Sequence, residues 1–182
     1  MKFRVSQVGT DGLELCFDED QGSLQALLGL EERDPTAVRA AGPLKVRGVV
    51  LASGQDLLVQ GSVQCRVEVA CRRCLATIPL ELDLPLRATL LPRKGNDALP
   101  AEQELQSEDL EVSTYEGEEV VLDELVREQI LLGAPQYPLC REDCAGLCPL
   151  CGKDLNDGAC GCAEPVDPRF AKLRQIKIDP GE

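Results

Sequence analysis

Alternating hydrophobic and polar positions dominate the middle of the chain. From Leu57 the segment "LLVQGSVQCRVEVAC" places an apolar residue at nearly every second position. After Leu75 the alternation resumes, and leucine or isoleucine recurs at every second position from Ile78 to Leu86. A period of two is typical of a half-buried β-strand. The pattern therefore predicts two long strands that flank the short segment "CRRC".

Shorter patterns extend this sheet and add helices. Further strands are predicted at "KFRVSQV", "LELCF" and "LKVRGVVLA", and a short helix at "LQALLGL". Together the strands predict an antiparallel meander of about five strands, able to bend into an open barrel. In "VVLDELVREQILLGAP" an apolar stripe at helical spacing predicts a second helix, capped by Asp123 and ended before Pro135.

These elements predict an α+β fold dominated by β-structure. The chain has 182 residues, enough for one domain with a small appendage. We expect an antiparallel β domain with the CxxC hairpin at 1–96, an acidic linker at 97–118 and a helix packed on the sheet at 119–139. A cysteine-rich, zinc-binding tail with a basic C-terminal segment follows at 140–182, and all four parts belong to one compact domain.

The charge is strongly negative but unevenly placed. The net charge is -13, yet residues 97–128 alone hold twelve acidic residues against Arg127, a local charge of -11. The rest of the chain therefore sums to only -2. The acidity belongs to one segment, which its polar composition predicts to be a solvated linker.

Composition excludes several functional classes. The chain has no histidine, so a Ser-His or Cys-His nucleophile pair and a histidine-ligated metal are excluded. A catalytic pair of carboxylates needs a cleft that shifts their pKa values, and the sequence shows none of the components of such a site, so we expect a protein that is not an enzyme. No apolar run has the length of a signal peptide or of a membrane span of about 20 residues, so we expect a cytoplasmic protein without membrane contact.

Ten cysteines are the conspicuous chemical feature. In the cytoplasm thiols stay reduced, so clustered cysteines favour metal binding or redox chemistry over disulfides. Cys16 and Cys65 stand singly in strand patterns and are predicted to be small buried hydrophobes. The other eight fall into closely spaced pairs and are the candidate metal ligands: Cys71, Cys74, Cys140, Cys144, Cys148, Cys151, Cys160 and Cys162.

The spacing predicts two structural zinc sites with four cysteine ligands each. "CPLCG" and the two cysteines beyond "NDG" place four sulfurs within fifteen residues, close enough for one tetrahedral ion. The C-x3-C pair, Cys140 and Cys144, would then join Cys71 and Cys74. Pairing Cys71 and Cys74 with Cys148 and Cys151, as in a zinc ribbon, is an alternative that the sequence leaves open, and an iron-sulfur cluster is another.

Several segments together resemble a known family. They are "GSVQCRVEVACRRCLATIPLELDLPL", "VVLDELVREQILLGAPQYPLC", "CAGLCPLCGKDLN" and "DPRFAKLRQIK", in this order around the acidic segment. The chain resembles the bacterial YceD family, the large ribosomal RNA subunit accumulation proteins. This resemblance implies a non-enzymatic factor for synthesis, processing or accumulation of 23S rRNA, and hence for biogenesis of the large ribosomal subunit.

An RNA or ribosomal partner requires cations for its phosphates. The candidates are Arg72, Arg73, Arg169, Lys172, Arg174 and Lys177. Arginines beside thiolates also offset the charge of a metal centre, which is an equally good reason for their presence. Aromatic residues that could stack on bases are scarce, so we expect a weak RNA contact. A basic ribosomal protein bound to the acidic segment would assist this contact. We expect no small-molecule substrate.

Two other functions use the same residues. A thiol or zinc redox switch would release metal on oxidation of the cysteines. A protein-protein adaptor would bind ribosomal particles without any RNA contact.

Overall fold

The computed structural model describes residues 1–29, 37–93 and 112–162. Within them the chain forms seven strands and two α-helices. In chain order these are β1 (Lys2–Arg4), β2 (Leu13–Glu19), α1 (Gln21–Leu28), β3 (Arg39–Ser53), β4 (Asp56–Ala70), β5 (Thr77–Pro92), β6 (Val112–Tyr115), β7 (Glu119–Val121) and α2 (Asp123–Gly133). The predicted β-dominated fold, with an open sheet and a cysteine-rich C-terminal region, is confirmed.

The main sheet has five strands in the order β2-β3-β4-β5-β6. Strands β2 to β5 form an antiparallel meander, as the alternating pattern predicts. The β3–β4 hairpin turns tightly at Gly54, whose φ of 67° suits glycine. The β4–β5 hairpin, in contrast, turns through the "CRRC" segment.

Two strands differ from the prediction. β1 does not join the meander but pairs with β7 in a separate two-stranded sheet, where Phe3 lies opposite Val120 and both are buried. Residues 112–115, predicted as linker, form β6, which pairs in parallel with β5. A four-residue strand is too short for its alternation to stand out from charged neighbours. The predicted linker residues 97–111 lie outside the described residues.

Both helices pack against the sheet. Leu24 and Leu28 of α1 and Val126 and Ile130 of α2 are fully buried in the core formed by β2 to β5. Asp20 caps α1 by accepting a hydrogen bond of 2.7 Å from the Ser23 N–H. The helix predicted at "LQALLGL" is therefore present, but it begins three residues earlier, at Gln21, and ends at Leu28.

α2 directs the following chain toward the β4–β5 turn. It ends before Pro135 as predicted, but Asp123 is not its cap, because that carboxylate instead pairs with the N-terminal ammonium group. At the end of α2, Gly133 lies so close to β5 that a Cβ would meet the Leu84 side chain at 2.5 Å. From there the chain reaches Pro138, whose carbonyl accepts a hydrogen bond of 2.9 Å from the Arg72 N–H.

Candidate metal centres

Four cysteines from two distant parts of the chain form the first centre, site A. Cys71 and Cys74 lie at the β4–β5 turn, and Cys140 and Cys144 lie in the segment after α2. The Cys71 and Cys144 sulfurs are 3.8 Å apart, and the Cys74 and Cys140 sulfurs 3.6 Å apart. Four sulfurs around zinc at about 2.3 Å would be separated by about 3.8 Å. The site therefore has the dimensions of a tetrahedral thiolate centre.

A second centre, site B, lies in one short loop. Its sulfurs belong to Cys148, Cys151, Cys160 and Cys162 and lie within 4.8 Å of one another. The loop is shaped by its own backbone bonds, including Cys148 N–H to the Lys153 carbonyl at 2.8 Å. A 3-10 turn at Leu155–Asp157 reverses the chain between the two pairs of cysteines.

The structure decides between the two ways of pairing the cysteines. Sites A and B correspond to the preferred partition, and the zinc-ribbon partition is not the one formed. The reason is the path of the chain after α2, which brings Cys140 and Cys144 to the β4–β5 turn before the second CxxC segment begins. In both sites all donors are sulfur, which suits a soft or borderline metal such as zinc and leaves no position for a reacting water.

The two sites differ in burial. In site A, Cys71, Cys74 and Cys144 form a buried cluster against which Ile78 and Leu147 pack, and only Cys140 is exposed. In site B, Cys148 is buried, whereas Cys151 and Cys162 are exposed. Solvent and small reagents therefore reach site B more easily than site A.

Backbone N–H groups stabilise the thiolate form of one cysteine in each site. Burial is the largest influence on Cys71 and raises its pKa, but the N–H groups of Cys74, Cys140 and Arg73 together lower the pKa to about 6. The N–H groups of Cys151 and Leu150 likewise lower the pKa of Cys148 to about 6. Such turns donate several N–H groups to a sulfur and stabilise its negative charge.

The thiol that completes each site is harder to ionise. Desolvation and the neighbouring Cys144 sulfur raise the pKa of Cys140 to about 12. The sulfurs of Cys151 and Cys160 raise the pKa of Cys162 to about 12. Adjacent thiolates repel one another, and a bound cation relieves that repulsion. The electrostatics of both sites therefore favours a metal ion.

Asn156 connects the two sites and was missed by the sequence analysis. It lies in the site B loop, yet its side-chain N–H donates to the Cys144 sulfur of site A at 3.4 Å and lowers the pKa of that thiol. Its side-chain oxygen accepts bonds from the Arg141 guanidinium at 2.7 Å and from the Ala145 N–H at 2.8 Å. The sequence "NDG" indicated a turn here, but no sequence signal specified its partner.

Two of the predicted RNA-contacting residues lie at site A. The Arg72 side chain donates to the Gln136 carbonyl at 3.2 Å, and that of Arg73 donates to the Cys144 carbonyl at 2.8 Å. Both side chains therefore help to hold the tail against the hairpin. Arg169, Lys172, Arg174 and Lys177 lie outside the described residues.

The two single cysteines have different environments. Cys65 is buried as predicted, and burial raises its pKa to about 11. The prediction for Cys16 is wrong, because this side chain is exposed. In β2 the neighbouring Leu15 points into the core, and alternation along the strand therefore turns Cys16 outward.

An open β-sheet with two helices and a pair of four-cysteine clusters defines the molecule as a candidate metal-binding β protein. In the described ranges, no helix combines the length and apolar character needed to cross a membrane. The sequence model of the family described as "Large ribosomal RNA subunit accumulation protein YceD" matches residues 59–177. The chain belongs to the YceD family.

Its similarity to mycobacterial proteins extends over much of the chain. An uncharacterized protein of Mycobacterium tuberculosis and one of Mycobacterium bovis are each 33% identical over 123 residues, covering 67% of this chain and 56% of the relative. An uncharacterized protein of Mycobacterium leprae is 24% identical over 160 residues, 83% of this chain and 71% of the relative. The chain thus spans little more than half the length of the first two relatives. No solved structure matches it.

Proposed function

We propose that this protein is a non-enzymatic cytoplasmic factor for 23S rRNA synthesis, processing or accumulation, and hence for biogenesis of the large ribosomal subunit. The observation that carries the proposal is the placement of both four-cysteine clusters, β5 and α2 inside the region matched by the family. The family's description supports the link to ribosomal RNA. The all-sulfur donor sets support structural roles for the clusters.

In this proposal each cluster binds one zinc ion. A structural zinc contributes about 10 to 16 kcal/mol in zinc-finger peptides near neutral pH. That free energy is comparable to the whole stability of an ordinary domain, about 5 to 15 kcal/mol. The segment from Cys140 to Cys162 has few buried apolar residues, so metal binding supplies what a hydrophobic core does not.

The proposed partner is ribosomal RNA or a pre-ribosomal particle. Arg72 and Arg73 stand at the β4–β5 turn, and the basic residues of the C-terminal segment add further positive charge. The acidic segment offers a site for a basic ribosomal protein. Because phosphate contacts release counterions, particle binding through these cations should weaken as salt rises.

Depletion of the protein tests its cellular function. We expect cells depleted of it to show a lower ratio of mature 23S to 16S rRNA, with recovery when the wild-type gene is restored. An unchanged ratio and unchanged 23S precursors under full depletion would contradict the proposed function.

Elemental analysis tests the metal proposal separately. We expect about two zinc ions per chain, with eight thiols that react only after denaturation with chelator. Purified protein without metal, or with coloured iron-sulfur clusters, would contradict the zinc assignment and leave the ribosomal proposal to the depletion experiment.

A redox switch is a second candidate function. The exposure of Cys151 and Cys162 in site B favours it, because oxidants can reach these sulfurs. Loss of zinc in mild peroxide, together with reversible loss of particle binding, would support the switch.

A further inference from the structure

A very short connection joins the two clusters. Residues 145–147 alone separate Cys144, the last ligand of site A, from Cys148, the first ligand of site B. In this connection the Leu147 N–H donates to the Arg73 carbonyl at 3.1 Å, and the Leu147 side chain packs against the buried cysteines of site A. The residue that packs on one site is therefore the direct neighbour of a ligand of the other.

The middle of the site B loop folds back on this connection. The Leu155 N–H donates to the Gly146 carbonyl at 2.8 Å, and Asp154 forms an isolated antiparallel bridge with Leu147. Both Leu155 and Asp154 lie between the two pairs of site B cysteines in the sequence. Closure of site B around an ion therefore fixes the position of this turn against the backbone beside site A.

The half-buried Asn156 extends from the same turn to a site A sulfur. The Asp154 carboxylate accepts bonds from its backbone N–H at 2.8 Å and from its side-chain nitrogen at 2.7 Å. The side-chain oxygen accepts from Arg141 and Ala145, and the side-chain nitrogen also donates to the Cys144 sulfur at 3.4 Å. The amide is thus held at both ends. A partner that orients a metal ligand in this way tunes its affinity for the ion.

We propose that the two sites bind metal cooperatively, with Asn156 as the positioning residue that links them. A metal ion at site B fixes the loop that carries Asn156 and thereby raises the affinity of site A for its own ion. Such coupling is reciprocal, so an ion at site A raises the affinity of site B by the same factor. The first ion orders the connection, and the second then binds with a smaller loss of conformational entropy. This inference rests on the proposed binding of metal by both clusters and adds their regulation.

The difference in exposure gives this coupling a direction in the cell. Three of the four cysteines of site A are buried, whereas Cys151 and Cys162 of site B are exposed. An oxidant or a chelator therefore acts first on site B. Loss of the site B ion then frees the Asn156 loop and weakens metal binding at site A. The exposed centre controls the buried one.

Cadmium NMR of the full chain tests the coupling. Each site gives its own Cd²⁺ signal, Cys71→Ser identifies the signal of site A, and competition with a chelator measures the affinity of each site. We expect Asn156→Ala to lower the Cd²⁺ affinity of site A about tenfold or more. Asn156→Asp retains oxygen acceptors but lacks the N–H, and should lower it as well. Asp157→Ala, a change at the exposed neighbour, is the matched control and should bind as wild type does.

A variant without site B tests the link directly. Cys160→Ser combined with Cys162→Ser removes two ligands of site B, and we expect the Cd²⁺ affinity of site A to fall about tenfold. Addition of Asn156→Ala to this variant should cause little further loss, because both changes break the same link.

Several results would overturn the inference. Unchanged affinity of site A in the Asn156 variants or in the variant without site B contradicts the coupling, and so do losses that simply add in the combined variant. If the variant without site B does not fold, the Asn156 variants, which keep all eight cysteines, still decide. Wild-type protein that binds two ions independently contradicts the coupling alone. Wild-type protein that binds no metal contradicts the metal proposal too, while the depletion experiment still decides the ribosomal function.

Discussion

Sites A and B each consist of four cysteine thiols, but they connect different parts of the chain. Site A joins Cys71 to Cys144, which are 73 positions apart, and it ties the segment after α2 to the β4–β5 turn. Site B draws its ligands from 148–162 and orders one loop. A link across a longer loop removes more conformational freedom from the unfolded chain. We therefore expect a metal ion bound at site A to stabilise the whole fold, and one bound at site B to stabilise its own loop.

Removal of one ligand from each site tests this division of roles most directly. Cys71→Ser should lower the unfolding temperature by more than about 10 °C, because a bound zinc supplies a large part of the stability of such a chain. Cys162→Ser should have a clearly smaller effect and leave the sheet folded. Thermal unfolding with zinc analysis of both variants measures the difference. Equal losses of stability would contradict the division of roles.

The two sites should release zinc at different rates. Three of the four cysteines of site A are buried, whereas in site B only Cys148 is. We therefore expect a chelating dye in mild peroxide to receive the zinc of site B at least roughly tenfold faster than that of site A. The Cys162→Ser variant is the matched control and should lose the fast phase. Release of both ions in one phase would mean that the sites open together.

A substitution at Gly146 tests the contact between the segment joining the two sites and the β4–β5 turn. It has a φ of 75°, and a Cβ there would lie 3.0 Å from the Arg73 carbonyl. Gly146→Ala should therefore destabilise the protein by about 2 to 4 kcal/mol through backbone strain and the close contact. Gly117→Ala is the control, because Gly117 has a φ of 71° with nothing within 4 Å of the added Cβ. Denaturant unfolding that finds equal losses would show that φ alone explains the effect.

Substitution of Asn156 should cause the smallest of these losses of stability. Asn156→Ala removes the donor to the Cys144 sulfur and the acceptor for Arg141 and Ala145, and should cost about 1 to 3 kcal/mol. We expect release of the site A zinc to accelerate as well, since partners of metal ligands tune affinity. Asp157→Ala, a change at the exposed neighbour, is the control. Unchanged release from site A would show that Asn156 stabilises only its own loop.

Local patterns made much of the fold predictable. Strands β3, β4 and β5 follow from period-two alternation, and the end of α2 follows from Pro135. β6 was missed because four residues carry little periodicity. Its parallel pairing with β5, at the edge of the sheet, depends on the tertiary structure. Cys16 was misjudged because a single cysteine in a strand does not reveal which face it occupies. The pairing of β1 with β7 depends on Phe3 and Val120, 117 positions apart in the sequence, meeting in one core.

The period of the strands, the eight clustered thiols and the CxxC turns could be predicted from the sequence, because each depends on residues close together in the chain. Which four sulfurs share a centre depends on the tertiary structure, since the packing of α2 against the sheet places Cys140 and Cys144 beside Cys71. The tertiary structure also places the Asn156 side chain against the Cys144 sulfur of site A. Such contacts depend on relative positions that packing sets, and no local pattern encodes them.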